Sequence, residues 1–160
     1  MNIFEYDNRK GLKQMDYDTY LKKCEDIKKT NHSLLDLFYN DLRKAGLAEK
    51  TISRHLSNVD FYINEYLLRM DALSMESGIT MIDDFLGNFF IRKCMWSTPA
   101  NIKTTATSIK KFYKSMVEHE KIARQDYDLL CAIIKDSLDI WQEDCAIYND
   151  PDSPNPFFMF

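Results

Sequence analysis

The sequence predicts an all-α protein, a single compact bundle of about six helices. Apolar residues recur every three or four positions in six successive stretches, which is the spacing of helices with one buried face. Only four glycines and four prolines occur in 160 residues, so most of the chain has few of the residues that end strands and form hairpins. With 45% hydrophobic and 29% charged residues, the composition suits one domain with a substantial core.

The first half of the chain predicts three helices. Residues 17–29 form the first, with lysines on its outer side, and residues 33–46 form the second. Ser33 is suited to cap the second helix, and Gly46 fits the left-handed position that commonly follows a helix C-terminus. The third helix is the longest and covers about residues 51–69, where the apolar positions stay in register.

The second half predicts three more helices. Residues 80–94 form the most aromatic one. Thr98 and Pro99 then start the fifth helix, because a threonine side chain can cap free backbone amides and proline suits the first helical position. The sixth lies near residues 126–145. In the loop before Thr98, Trp96 is expected to cover the edge of the core, the alternative being that it stacks on a base or a partner.

The C-terminal residues predict a tail. We expect one helical domain over residues 1–145 and an extended acidic tail over residues 146–160, because the three prolines of the tail cannot continue a helix. The tail ends in an aromatic tip, which soluble proteins usually keep out of water. The tip therefore docks either onto its own domain or onto another chain. With the sixth helix, the tail supplies the candidate partner-binding residues Trp141, Phe157, Phe158 and Phe160.

Charge is distributed unevenly along the chain. The net charge at pH 7 is −4, which by itself speaks against nucleic acid, since domains that bind it are usually basic. Residues 1–124 nevertheless carry 20 lysines and arginines against 17 acids, a net charge of +3. Residues 125–160 carry one lysine against eight acids, a net charge of −7. The acidic character thus belongs to the C-terminal end.

The fifth helix has two different sides. At about 100° per residue, Lys103, Thr107, Lys110 and Lys114 fall within about 60° of each other, and the opposite side is apolar. Residues 91–125 together have an excess of six positive charges, which would attract the phosphates of a duplex. The alternative is an ordinary solvated helix face, because exposed lysines are common on helices that cover a core.

No residue pattern indicates catalysis, a metal site or a cofactor. The four cysteines are too far apart in sequence for a zinc knuckle, so we expect reduced and mostly buried thiols. The three histidines stand alone, without the spacing of metal ligands. Asp83 and Asp84 point about 100° apart on a helix and are expected to be solvated. The prediction is a non-catalytic protein.

Two segments share a pattern with a known family. In "LLDLFYNDLRKAGLAEKTISRHLSNVDFYINEYL" a helix ends in a glycine-containing turn, and a threonine opens a long helix that closes with an aromatic pair. In "TTATSIKKFYKSMVEHEKI" a later helix carries a second aromatic pair. The combination, over residues 33–123, resembles the core-binding (SAM-like N-terminal) domain of tyrosine recombinases and phage integrases. The matching positions are Thr51, Leu56, Phe61 and Tyr62, followed by Ile109, Phe112, Tyr113, Val117 and Ile122.

The resemblance implies a helical clamp laid across duplex DNA, with contacts mainly to phosphates. The catalytic domain of that family, with its His-x-x-Arg pair, has no counterpart in this sequence, and Tyr148 has no partner cluster to activate it. The DNA-contact candidates carried over by position are Thr51, Arg54, His55, Asn58, Lys103, Thr104, Thr107, Lys110, Lys111 and Lys114.

Two functions follow from these patterns and stay open. The first is a DNA-binding domain without catalytic activity. The second is a helical protein interaction module that has lost DNA binding and holds a partner or a second copy of itself through the acidic sixth helix and the aromatic tail. The sequence shows neither an apolar run of about 18 residues nor a signal-peptide pattern, so the expected location is the cytoplasm and no membrane partner is expected.

Overall fold

The computed structural model describes the backbone of residues 3–158 and the side chains of residues 16–157. Within these residues the fold is all-α, as predicted, with six α-helices and no strand. The helices surround one hydrophobic core to which each of them contributes. No helix in the described part of the chain is long and apolar enough to cross a membrane.

The first helix, α1, runs without interruption over Ile3–Lys44. It merges the first two predicted helices, so the predicted break and the Ser33 cap are wrong, and Ser33 is exposed in the middle of the helix. The polar residues that suggested a break have another use. Asn31 is buried, and its Nδ2 donates to the Ile63 carbonyl at 3.3 Å and to Asn64 Oδ1 at 2.7 Å. A buried amide at this point joins α1 to the following helix.

The end of α1 follows the prediction for Gly46. This glycine has φ +80°, a left-handed conformation that most side chains disfavour. Its N–H donates to the Arg43 carbonyl at 3.0 Å, and the N–H of Leu47 donates to the Leu42 carbonyl at 3.3 Å. These two bonds form a Schellman motif, which satisfies carbonyls at the helix C-terminus.

The second helix, α2, covers Glu49–Asp60 and continues into a π-helical segment, Phe61–Tyr66. The long third helix predicted over residues 51–69 is therefore present, with a wider turn in its second half. Its buried residues include Ile52, Val59 and Tyr62. These side chains face the centre of the bundle, so the apolar period correctly predicted the buried side.

The third helical stretch consists of α3 (Gly78–Asp84), a π-helical segment (Phe85–Phe89) and α4 (Phe90–Lys93). The two π-helical segments of the chain pack against each other. The ring centroids of Phe61 and Phe85 are 6.0 Å apart, and those of Tyr66 and Phe89 are 5.1 Å apart. Aromatic side chains from both segments thus form one cluster, which extends from the core to the surface.

The fifth and sixth helices are α5 (Pro99–Glu118) and α6 (Arg124–Asn149). The start of α5 follows the prediction, because the Thr98 side chain accepts a hydrogen bond from the Asn101 N–H at 3.0 Å and Pro99 is the first helical residue. The α6 helix is several residues longer than predicted at its C-terminal end. There Asn149 Nδ2 donates to the Ser97 carbonyl at 2.8 Å and holds the helix end against the loop before α5.

The tail folds back instead of extending away. Asp150 accepts hydrogen bonds from the backbone of Asp152 at 2.9 Å and from the Ser153 hydroxyl at 2.8 Å, which closes a turn. A short 3-10 turn, Pro156–Phe158, follows. The Phe157 ring then packs edge-on against Tyr148, with 5.9 Å between centroids. The extended conformation predicted for the tail is wrong, because this turn redirects the chain and Phe157 docks onto its own domain. The side chains of Phe158 and Phe160 lie outside the described residues.

Candidate nucleic-acid interface

The basic side of α5 is exposed to solvent. Its residues Lys103, Thr107, Lys110, Lys111 and Lys114 are all exposed, and the apolar residues predicted for the opposite side are buried. Among the ion pairs found in the described part of the chain, none involves these four lysines. We call this surface the lysine face. Its charges are free to attract an anionic partner.

Ser108 joins α5 to α2 through a buried polar contact. Its hydroxyl donates to the Thr104 carbonyl at 3.1 Å. Because a serine hydroxyl has one hydrogen and two lone pairs, it then accepts from Asn58 Nδ2 at 3.0 Å and from His55 Nδ1 at 2.7 Å. This assignment places the proton of neutral His55 on Nδ1. The joint fixes the position of α2 relative to the lysine face.

His55 is a structural residue, which corrects its place among the DNA-contact candidates. The side chain is buried, with 4% of its surface exposed, and is held by Ser108. Burial lowers its pKa below the usual value of 6.5, and the nearby charges of Lys111 and Arg54 lower the pKa further. His55 therefore stays neutral at pH 7. The charges of Lys111 on α5 and of Arg54 on α2 thus both disfavour protonation of this ring.

Beside this joint lies a small surface pocket with a volume of about 190 Å³. We call it the Trp96 pocket. Its lining residues are Arg54, Asn58, Phe90, Trp96, Asn101, Thr104 and Thr105. Three of them, Arg54, Asn58 and Thr104, are DNA-contact candidates from the sequence. The lining includes a cation and two amides and no carboxylate, so it suits an anion.

Trp96 is more exposed than predicted. Of its surface 58% is accessible, and its ring meets Phe61 edge-on at 6.0 Å between centroids. Asn101 Nδ2 donates to the Trp96 carbonyl at 2.8 Å and holds the loop against α5. The expectation that Trp96 covers the core edge is wrong, because only the side of the ring facing Phe61 is covered. Sequence reasoning missed Asn101, although its position in the first turn of α5 was recognisable.

The threonine candidates are less available than the lysines. Thr51 is half-buried near the start of α2. The Thr104 hydroxyl donates to the Ala100 carbonyl, and the Thr107 hydroxyl donates to the Lys103 carbonyl, both at 3.0 Å. Their oxygens keep lone pairs, but phosphates offer only acceptors. The threonine hydroxyls are therefore weaker candidates for phosphate contacts than the lysines.

Trp141 is a core residue, which corrects its place among the partner-binding candidates. Only 1% of its surface is exposed, and its Nε1 donates to Asp83 Oδ1 at 2.7 Å. Asp84 also has partners, since it accepts from the Tyr66 hydroxyl and from Asn88 Nδ2 at 3.1 Å. Asp83 is exposed and the Asp84 side chain is 42% exposed, as expected for solvated acids, and each in addition accepts a hydrogen bond from a neighbouring element.

The acidic residues of α6 do not cover the lysine face. Asp126, Asp128, Asp136, Asp139 and Glu143 are exposed on α6. Among the described residues, the only one of these acids in an ion pair is Asp128, which pairs with Arg124 of the same helix at 3.1 Å. None of these acids forms an ion pair with a lysine of the lysine face within the described residues.

A serine, an aspartate and a histidine meet between α1 and α5. Asp41 Oδ2 accepts from the Ser115 hydroxyl at 2.5 Å and lies 2.9 Å from His119 Nε2. Both partners contact the same carboxylate oxygen, and no hydrogen bond between His119 and Ser115 is found among the described residues. The trio links two helices and has no arrangement for nucleophilic attack.

The thiols and the metal-ligating residues show no catalytic arrangement within the described part of the chain. All four cysteines are free, and burial raises the pKa of the Cys94 thiol to about 11, so it is protonated at neutral pH. No group of three or more His, Cys, Asp or Glu side chains is placed to hold a metal ion among the residues with described side chains.

Comparisons of the chain with models of known families, with curated proteins and with solved structures gave no match. The resemblance to the recombinase core-binding domain therefore stays a prediction.

Proposed function

We propose that the chain is a non-catalytic DNA-binding domain that contacts duplex phosphates through the lysine face and Arg54. The observation that carries this proposal is the set of exposed lysines on α5 without ion-pair partners among the described residues. A protein that neutralises phosphates with such side chains releases counterions, which gives affinity without base readout.

The second support is the meeting of two helices at this surface. Arg54 lies on α2 and Lys111 on α5, and hydrogen bonds from His55 and Asn58 to Ser108 join these two helices. A surface built from two helices can follow a duplex backbone over more than one phosphate. The resemblance to the recombinase core-binding domain implies the same use of these two helices.

The test is binding of a labelled random duplex across a salt series. The variant carries Lys103→Glu, Lys110→Glu and Lys114→Glu. We expect the intact chain to lose affinity as salt rises and the variant to bind at least about tenfold more weakly, with a salt dependence reduced by about one phosphate for each lysine.

The matched control carries the same charge change elsewhere. Lys22 and Lys28 on α1 and Lys135 on α6 are also exposed, and Lys22→Glu, Lys28→Glu and Lys135→Glu should leave most of the affinity. Equal losses in both triple variants would mean that only the overall charge matters. Absence of binding by the intact chain at low salt would reject the DNA proposal.

A second candidate function is association through α6. Leu129 and Ile140 are exposed, with 46% and 58% of their surfaces accessible, and their spacing of 11 residues puts them on one side of the helix. Half-buried Ile133 lies on the same side. A protein partner or a second copy of the chain would therefore bind to this side of α6. The tail is the weaker candidate for the contact, because Phe157 already packs on its own domain.

Sedimentation of the intact chain tests this alternative. A mass that rises with concentration and returns to the monomer in Leu129→Lys with Ile140→Lys would support association through α6. The matched control is Met70→Lys with Met95→Lys, because both methionines are exposed outside α6, with 82% and 100% of their surfaces accessible. A monomer at all concentrations would leave only a different protein as the partner.

A further inference from the structure

A second cationic pocket shares no residue with the lysine face. Its volume is about 390 Å³, and its lining contains three cations, Arg69, Arg92 and Lys93, together with Met70, Asn88 and Phe89. No carboxylate lines it, although Asp84 Oδ2 approaches Arg69 Nη2 at 3.4 Å from outside the lining. We call this the Phe89 pocket. Neither the sequence patterns nor the lysine face accounts for it.

Two arginines of the Phe89 pocket lie against aromatic rings, one against Phe89 of the lining and the other against Phe157, which is outside the lining. The guanidinium carbon of Arg69 lies 4.9 Å from the Phe89 ring centroid, and that of Arg92 lies 5.3 Å from the Phe157 centroid. Arg92 Nη1 also donates to Asn88 Oδ1 at 3.3 Å. These contacts hold two guanidinium groups in place without an acid that neutralises Arg92. A flat anionic ligand would meet charge and an aromatic surface together.

A row of aromatic rings connects the Phe89 pocket with the Trp96 pocket. The Phe61 ring lies 6.0 Å from Trp96 and 6.3 Å from Phe89, centroid to centroid. Trp96 is exposed, and Phe61 and Phe89 are half-buried. Each end of the row has cations beside it, with Arg54 at the Trp96 end and Arg69 at the Phe89 end.

This combination matches the requirements of a single strand rather than a duplex. Proteins that bind single-stranded nucleic acid without sequence preference combine aromatic side chains, on which bases stack, with cations along the backbone. In a duplex the base faces are covered by their neighbours, so exposed rings gain little there. The lysine face has no exposed aromatic residue among its members, which separates the two surfaces by chemistry.

We propose that the aromatic row binds single-stranded or unpaired nucleic acid, with a base stacked on Trp96 and phosphates held by Arg54 at one end and by Arg92 and Lys93 at the other. This deepens the proposed function by naming a second form of nucleic acid. The two proposals share one residue, Arg54, and the inference rests on the proposed function only through that residue. One exposed acid, Glu65, lies about one turn after Phe61 on the same helical stretch, so Glu65→Gln should strengthen binding.

Tryptophan fluorescence tests the stacking directly, because the chain has two tryptophans and the other one is buried. The probes are an oligothymidylate of about a dozen nucleotides, long enough for several stacked bases, and a duplex of equal length. We expect the oligothymidylate to quench the emission of Trp96. In Trp96→Phe, where only Trp141 emits, the quenching should disappear.

Affinity measurements with the same probes complete the test. Trp96→Ala should weaken oligothymidylate binding roughly tenfold or more, as expected for loss of one stacked base, and Arg92→Glu with Lys93→Glu should weaken it at least as much. Both variants should leave duplex affinity within about threefold. The matched charge control is Lys22→Glu with Lys28→Glu, which should leave both affinities within the same factor.

The outcomes separate this inference from the duplex proposal. Oligothymidylate binding without quenching, or an affinity of Trp96→Ala within about twofold of the intact chain, would overturn the inference while duplex binding could stand. Quenching and binding of the oligothymidylate with no duplex binding would support the inference and reject the duplex proposal. Binding of neither probe would reject both.

Discussion

The two tryptophans of this chain lie in opposite environments. Trp141 is buried between α6 and the α3 stretch, where its indole N–H meets Asp83 and its ring lies against Gly87. Trp96 projects from the loop before α5 and is supported on one side only, by Phe61. The two residues differ in what surrounds the indole ring. Gly87 leaves space for the Trp141 ring and Asp83 accepts its N–H, whereas most of the Trp96 ring is in contact with solvent.

The surroundings of the two residues differ in the same way. The contact between the α3 stretch and α6 excludes solvent, because Trp141 is buried there against Gly87. The surface of α2, α5 and the Trp96 loop is open, and beneath it lies a polar joint of His55, Asn58 and Ser108. Loss of a side chain should therefore affect stability in the first region and binding in the second. Three predictions test this division.

The largest expected effect is on stability from Trp141→Ala. The substitution leaves a cavity in the core and removes the partner of Asp83, so we expect the free energy of unfolding to fall by about 3–5 kcal/mol. Trp96→Ala should lower it by less than about 1 kcal/mol, because most of that ring is already in water. Denaturant unfolding followed by circular dichroism measures both. Similar losses in the two variants would remove the distinction.

The next effect concerns the glycine that receives Trp141. A Cβ at Gly87 would lie 2.7 Å from the indole Cδ1 and Nε1 atoms, so Gly87→Ala must displace the ring from Asp83. We expect a cost of about 1–3 kcal/mol, as for other overpacked cores, and a red-shifted Trp141 emission measured in Trp96→Phe. Ala72→Gly, in a loop, is a control for a change of similar size. A variant as stable as the parent would mean that the contact can relax.

The smallest expected effect is a pH dependence at the polar joint. Because burial and the charges of Lys111 and Arg54 lower the pKa of His55, the folded chain binds its proton less readily than the unfolded chain. The contribution of neutral His55 to the free energy of unfolding should therefore be complete above the usual histidine pKa of 6.5. This contribution should decrease as the pH falls below that value. His55→Gln should flatten this part of the pH profile.

Thermal unfolding at pH 5, 6 and 7 measures the difference between the parent and His55→Gln. His32→Gln is the control, since His32 is exposed and pairs only with Asp36 of its own helix at 3.8 Å. An identical pH profile in the parent and in His55→Gln would show that protonation of the buried ring carries no penalty.

Much of the fold could be predicted from local patterns. The apolar period identified the buried sides of the helices, Thr98 with Pro99 identified the start of α5, and Gly46 identified the end of α1. The break expected before Ser33 failed because polar residues were interpreted as a linker. Asn31 instead makes its hydrogen bonds inside the protein, to Ile63 and Asn64, and no local signal distinguishes a buried amide from an exposed one.

The candidate site was predictable only in part. The lysine face follows from helical periodicity, since 100° per residue places the same residues outward in any straight helix. His55 could not be assigned, because its burial depends on Ser108, 53 residues later in the chain. The two tryptophans were wrongly interpreted for the same reason. Their environments depend on Gly87, Asp83 and Phe61, which are distant in sequence and close in space.

The paired π-helical segments have a consequence for changes in chain length. A π-helical turn holds one more residue than an α-helical turn, so removal of one residue from such a segment can restore an α-helix without rotating the helices on either side. The segments Phe61–Tyr66 and Phe85–Phe89 are therefore the helical places where a single-residue deletion would cost least in alignment. Such a deletion would shift Phe61 or Phe89 relative to Trp96 and leave the lysines of α5 where they are.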